Sequence, residues 1–178
     1  ADPTTLDSTW LAVGHVDEFM AVQMTGNGNV RVIVASTALA IALFEDDPDA
    51  VLDGSWLSES TNGDMTAQEV LDEWQEYNED IEGTLDDIAD FLENEIGFEV
   101  VRVPGYFAEV EVELNVTRAV SLLPNMVNML NVNGTLITLD PMWEPFRNAF
   151  EDELGALGNG WIEGLEVHHG DGGIHCAT

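Results

Sequence analysis

The chain has 178 residues, 45% of them hydrophobic, and sets 35 Asp and Glu against four basic side chains, all Arg, for a formal net charge of −31. That field repels phosphate backbones and anionic membranes, which argues against nucleic-acid and membrane partners, and it attracts cationic ones. The size suits one folding unit with one core, no apolar run approaches the about 20 residues of a membrane span, and Ala1–Thr5 lacks the pattern of a signal peptide.

A soluble protein is expected, with a cytoplasmic address favoured and secretion left open should a signal precede Ala1. The single cysteine, Cys176, cannot close an internal disulfide, so redox logic does not read the compartment. Acidic enrichment without any Lys, spread over the whole chain, resembles proteins adapted to high salt. Oligomeric state is not legible.

In chain order, Leu11–Val13 and Phe19–Met24 read as extended. On a strand His15 and Asp17, two apart, share one face while Val16 and Glu18 point the other way, so Glu18 reads as structural. Gly26–Asn29 marks a turn, Val30–Ala35 a buried strand, and Thr37–Phe44 a short helix. Glu45–Asp64, with Pro48, Gly54 and Gly63, reads as an exposed loop.

From Thr66, with Glu69 three positions on, apolar residues recur at Val70, Trp74, Tyr77, Ile81, Leu85, Ile88, Leu92 and Ile96. This predicts an amphipathic helix behind a capping box, broken in two should Gly83 interrupt it, and ended by Gly97. Glu99–Val103 is the next strand. Met126–Val132 and Thr135–Leu139 flank Asn133-Gly134, a strong hairpin signal. Glu144–Leu157 reads as a helix, Trp161–His168 as a strand, and Ile174–Cys176 as the start of another after the Gly170–Gly173 turn. Strands and helices alternate, which gives an α/β class.

The chemistry-bearing residues gather at the two ends of the chain. His15 supplies an acid/base, Asp17 a carboxylate and Cys176 a thiol, a set suited to nucleophilic attack on a planar cation. A guanidinium carbon is a poor electrophile because its charge is delocalised. It needs a thiolate nucleophile, which a neighbouring imidazolium or bound cation would favour. His15 would protonate departing ammonia and then activate water, and Asp17 would hold the cation through paired hydrogen bonds. Asn125 and Asn128 are candidates for the substrate pocket or its backbone, and Trp10, Met126 and Met129 are expected in the core. His168, His169, Asp171, His175 and Cys176 can also be read as a zinc cluster, although their spacing matches no common pattern. His175 is expected to face away from Cys176, and the glycines at 170, 172 and 173 to give backbone room beside the thiol.

The segments Trp10–Phe19, Pro124–Leu130 and Gly173–Thr178, in this order and spacing, strongly resemble the C-terminal catalytic part of the peptidylarginine deiminases. The resemblance runs over essentially the whole chain, residues 1–178, and covers only part of that family's catalytic domain. It implies part of an α/β propeller of the pentein type, built from ββαβ modules. It also implies hydrolysis of peptidyl-arginine to citrulline and ammonia, with Cys176, His15 and Asp17 in the roles above and an arginine-containing protein or peptide as partner.

Two other readings stand beside it: a deiminase of agmatine or free arginine, and a non-catalytic module that binds arginine-bearing partners. Calcium is implied by the resemblance alone, and most of the ligands known for the animal enzymes, like a second substrate-gripping aspartate, precede the His-Val-Asp motif in that family. The fragment alone is therefore expected to be incomplete. Ala177 stands where a Gly is usual.

Overall fold

The computed structural model describes residues 6–25, 28–157, 160–170 and 173–176. Its centre is a three-stranded sheet in the order β1-β2-β5, in which β1 (Met20–Met24) runs antiparallel to β2 (Val30–Ser36) and β2 runs parallel to β5 (Glu99–Pro104). Between β2 and β5 lie α1 (Thr37–Asp46), the short pair β3 (Val51–Leu52) and β4 (Met65–Thr66), and α2 (Ala67–Asp90). Residues Val32–Ala35 are buried, as expected of a strand covered on both faces.

The same ββαβ order returns later. Strands β8 (Leu130–Val132) and β9 (Thr135–Leu139) are antiparallel, α3 (Glu144–Leu154) follows, and β10 (Trp161–Ile162) lies parallel to β9. Between the two units stands the hairpin β6 (Phe107–Glu113) and β7 (Val116–Ser121). The class is mixed α/β in several small sheets, none of them closed.

Local chemistry explains these elements. Ser36 caps α1 by accepting from the Leu39 amide, and Thr66 and Glu69 form the reciprocal capping box that starts α2. Helix α2 runs through Gly83 unbroken, passes into a π-helical turn over Phe91–Ile96, and ends at Gly97 in the left-handed region. Its apolar stripe, including Val70, Trp74, Ile81 and Leu85, enters the core. Asn78, fully buried within that stripe, donates to the Phe107 carbonyl at 2.8 Å and accepts from the Phe107 amide at 2.9 Å, which fastens α2 to β6. At the hairpin tip Asn133 and Gly134 take φ of 54° and 84°, the positive values that a primed turn demands.

Four expectations change. Leu11 forms only an isolated bridge with Ala119, because Trp10 and Ala12 spend their backbone groups on that one residue. The 45–64 segment contains β3 and buries Leu52 and Leu57, so it is anchored rather than wholly exposed. After two strand residues the 161–168 segment turns into a short helix, α4 (Leu165–His168). Residues 174–176 form a turn, not a strand. Hairpin β6–β7 escaped the sequence reading, although Glu109-Val110-Glu111-Val112-Glu113 alternates as a half-exposed strand should.

Candidate active site

The first wall of the site is the segment between Trp10 and β1. Gly14, at φ 81°, reverses the chain where a side chain would be strained, and its carbonyl accepts from Ser8 Oγ at 2.7 Å. Val16–Glu18 then form one 3₁₀ turn. Glu18 is buried, and its Oε1 accepts the His15 amide at 2.7 Å, while fully buried Phe19 anchors the exit. Two polar side chains are thereby held out over a buried Glu-Phe pair. Period-two alternation predicted this common direction, and a tight helical turn provides it instead.

The floor is Pro124–Met129, where backbone ladders give way to side-chain bonds. Asn125 Oδ1 accepts the amides of Val127 and Asn128 at 3.0 and 3.3 Å, and its Nδ2 donates to the Glu18 carbonyl at 2.8 Å. Asn128, only 1% exposed, ties three segments together. Its Nδ2 donates to the Asp17 carbonyl at 3.2 Å and to Cys176 Sγ at 3.0 Å, and its Oδ1 accepts the Cys176 amide at 3.0 Å. Both asparagines, expected among substrate-binding groups, thus have backbone and thiol partners and sit as struts of the pocket. Gly173 makes the close approach feasible, because a Cβ there would lie 2.5 Å from that of Asn128.

These supports bring together the ends of the chain. One ligating atom each of His15, Asp17 and Cys176 lies within 4.8 Å of the others. Cys176 Sγ donates to Asp17 Oδ2 at 3.3 Å, and His175 Nδ1 meets the same oxygen at 2.8 Å. His175 was expected on the opposite face from Cys176. In a turn successive side chains need not alternate, and both converge on one carboxylate.

Electrostatics follow from that sharing. Burial opposes the charge on Asp17, but hydrogen bonds from His175, Cys176 and Asn128, with the His175 charge, outweigh it and hold the carboxyl below its ordinary range. Burial pushes the Cys176 thiol up, and the Asp17 carboxylate adds to that push against the opposing bonds from Asn128 and Gly173. A thiolate activated by nearby imidazolium was the sequence expectation. The imidazole is near, yet the thiol form is favoured, first by burial and then by the Asp17 carboxylate beside the sulfur.

Beside Asp17 and His175 opens a groove of about 430 Å³ with Met20, Ala21, Val127 and Met129 along its walls. The arginines are engaged elsewhere: Arg31 pairs with Glu99, Arg102 with Glu82 and Asp86, Arg147 with Asp140, and Arg118 donates to the neighbouring Thr117 carbonyl, while His175, when protonated, is the cation beside Asp17. A pocket with a carboxylate at one end and apolar walls suits a cation on an aliphatic stem.

The zinc cluster read from the C-terminal histidines does not assemble. His168 Nε2 faces the Leu122 carbonyl at 3.3 Å and His169 Nε2 the Leu57 carbonyl at 3.0 Å, so both pin the last segment to the body, while Asp171 lies outside the described residues. Burial, then His169, depresses the pKa of His168 to about 4. No spacing signal marks these two anchors, nor the contact of His175 with Asp17, since their partners are carbonyls and a carboxylate far away in sequence. Calcium needs six to eight oxygen ligands. The one three-donor cluster among the described residues contains a single carboxylate, and it does not fit that ion.

A sequence model of the protein-arginine deiminase family matches residues 1–152, a span that includes His15, Asp17, Asn125 and Asn128 and stops short of Cys176. Protein-arginine deiminase type-4 of Rattus norvegicus is 28% identical over 99% of this chain and 29% of its own length. The type-4 and type-1 enzymes of Homo sapiens are 29% and 28% identical, each over 99% of this chain and 28% of their own length. The chain therefore spans under a third of these relatives. No helix among the described residues is long and apolar enough to cross a membrane.

Proposed function

The chain belongs to the protein-arginine deiminase family, and on that premise we propose that it carries the nucleophile, the acid/base and one cation clamp for hydrolysing peptidyl-arginine to citrulline and ammonia. The observation that supports this most directly is the meeting of Cys176 Sγ, Asp17 Oδ2 and the His15 ring from opposite ends of the chain. The two ββαβ units fit the pentein propeller as its partial form. Calcium, where the family requires it, has no ligand set among the described residues.

The substrate's guanidinium enters along the apolar groove and takes paired hydrogen bonds to Asp17, displacing the Sγ–H donor. With the carboxylate charge neutralised, its share in holding the thiol up is removed, and the thiol proton passes to the His15 ring as the cation arrives. The thiolate attacks the guanidinium carbon, forming a C–S bond and a tetrahedral adduct. His15 gives a proton to the departing nitrogen, the C–N bond breaks, ammonia leaves, and a thiouronium-type intermediate remains. His15 then accepts a proton from water as its oxygen bonds to carbon, and C–S cleavage returns the thiol and the ureido product.

The test is citrulline release by the full-length protein from a blocked arginine peptide, agmatine and free arginine, in molar potassium chloride, with and without calcium. The expected order places the peptide first, and Cys176→Ser abolishes turnover. Preference for agmatine would shift the reading to a small-guanidine deiminase. Arginine-peptide binding without any citrulline would make this a binding module.

A further inference from the structure

We infer that His15, Asp17 and Cys176 form a chelating site for a single zinc-like divalent ion, whose binding shuts the pocket reversibly. The donors are one imidazole nitrogen, one carboxylate oxygen and one thiol sulfur, the mixture that zinc and cadmium accept and that calcium and magnesium do not. With bonds of about 2.0 Å to N or O and about 2.3 Å to S, tetrahedral ligands stand roughly 3.3–3.7 Å apart. The sulfur-to-carboxylate separation is already 3.3 Å. The imidazole lies within 4.8 Å of both, and His15 is exposed and joined to a short turn, so closing the set takes a side-chain adjustment.

The surroundings are those of a supported metal centre. His175 Nδ1 holds the ligating oxygen at 2.8 Å and Asn128 Nδ2 holds the sulfur at 3.0 Å, the outer contacts that orient ligands. His15 and Cys176 are exposed, which leaves an approach path and a fourth position for water or chloride. On binding, the S–H bond breaks, its proton goes to buffer, and the sulfur electron pair forms the metal bond. The ion then occupies both the clamp oxygen and the nucleophile, so metal and guanidinium exclude one another. Chelation rests on the geometry alone, whereas the inhibition rests on the deiminase reading.

The experiment titrates cadmium into the 178-residue chain in molar potassium chloride with excess magnesium, which occupies the many surface carboxylates. The ultraviolet sulfur-to-cadmium band reports the thiolate bond, dialysis reports stoichiometry, and zinc displaces the probe. One ion per chain is expected, with His15→Ala and Asp17→Asn each weakening binding at least about 10-fold, the lower end of what outer-ligand changes alone cost. Circular dichroism checks that each variant is folded, and His15→Gln repeats the test at the exposed ligand should the aspartate variant fail. No band, or a band of unchanged affinity in the His15 and Asp17 variants, overturns the site, because the thiol would then bind alone or not at all. Citrulline assays run separately on the full-length protein: cadmium binding without any citrulline there retains the site and removes the deiminase reading. Citrulline without cadmium binding does the reverse.

Discussion

Replacing Asn128 by Ala removes a side chain that ties the 173–176 turn both to the floor of the site and to the Asp17 segment. Three bonds are lost: Nδ2 to Sγ, Nδ2 to the Asp17 carbonyl, and the Cys176 amide to Oδ1. At about 1 kcal/mol each, with the sulfur bond weaker, the turn at 173–176 loses about 2–3 kcal/mol of docking energy. The His168 and His169 anchors lie upstream and remain, so the loss is local and the global unfolding midpoint moves little.

Hydrogen exchange at the Cys176 amide reads this directly, and the expected acceleration is roughly 30–150-fold. Turnover falls by about two orders of magnitude, because sulfur no longer stays in line with the clamp. Asn128→Asp separates the two duties of the amide. It keeps an acceptor for the Cys176 amide, whose exchange stays slow, but replaces the donor to sulfur with a second carboxylate, so the thiol rises further and the pH–rate curve moves to higher pH. Unchanged exchange in Asn128→Ala, or unchanged turnover, would refute the assignment of Asn128 as the strut.

Two further outcomes concern stability. His168 titrates at about 4 when folded, below the ordinary 6.5. The unfolded chain therefore binds the extra proton between those values, and this residue's stabilisation is complete above about pH 6.5 and lost as pH falls toward 4. The shift corresponds to about 3 kcal/mol, and His168→Gln, which still offers a donor to the Leu122 carbonyl, should remove that part of the difference between urea unfolding at pH 7 and pH 4; identical pH dependence in both proteins would contradict the assignment. Helix α2 sets exposed acids four apart, Asp72 with Glu76, Glu76 with Asp80 and Asp86 with Asp90, and Arg102 pairs with two acids of this helix, Glu82 and Asp86. Such like-charge pairs destabilise by about 0.2–0.5 kcal/mol each, so molar salt should raise the melting midpoint by several degrees, and a midpoint indifferent to salt would refute this.

The elements that sequence made legible are those whose stability is local. The capping box at Thr66 and Glu69, the apolar stripe of α2 and the Asn133-Gly134 turn each rest on contacts within a few residues, and each stands where its pattern placed it. The site residues were legible as types, since a thiol, an imidazole and a carboxylate in such settings suggest one chemistry. Their geometry was not, and the reason is physical. Period-two reasoning holds only while a ladder of backbone bonds holds the strand, and at 16–18 and 174–176 no ladder exists.

Those segments are positioned by Glu18, Asn125 and Asn128, side chains whose partners lie 3, 107 and 48 to 111 residues away in sequence. The convergence of His175 and Cys176 on Asp17 follows from that kind of support and from no alternation. A thiol carried on a turn that is docked by Asn128 and Asp17 is displaced from its place for about the energy of those bonds. Deimination, metal capture and thiol ionisation should accordingly respond together to any change at Asn128, while α2 and the central sheet remain folded.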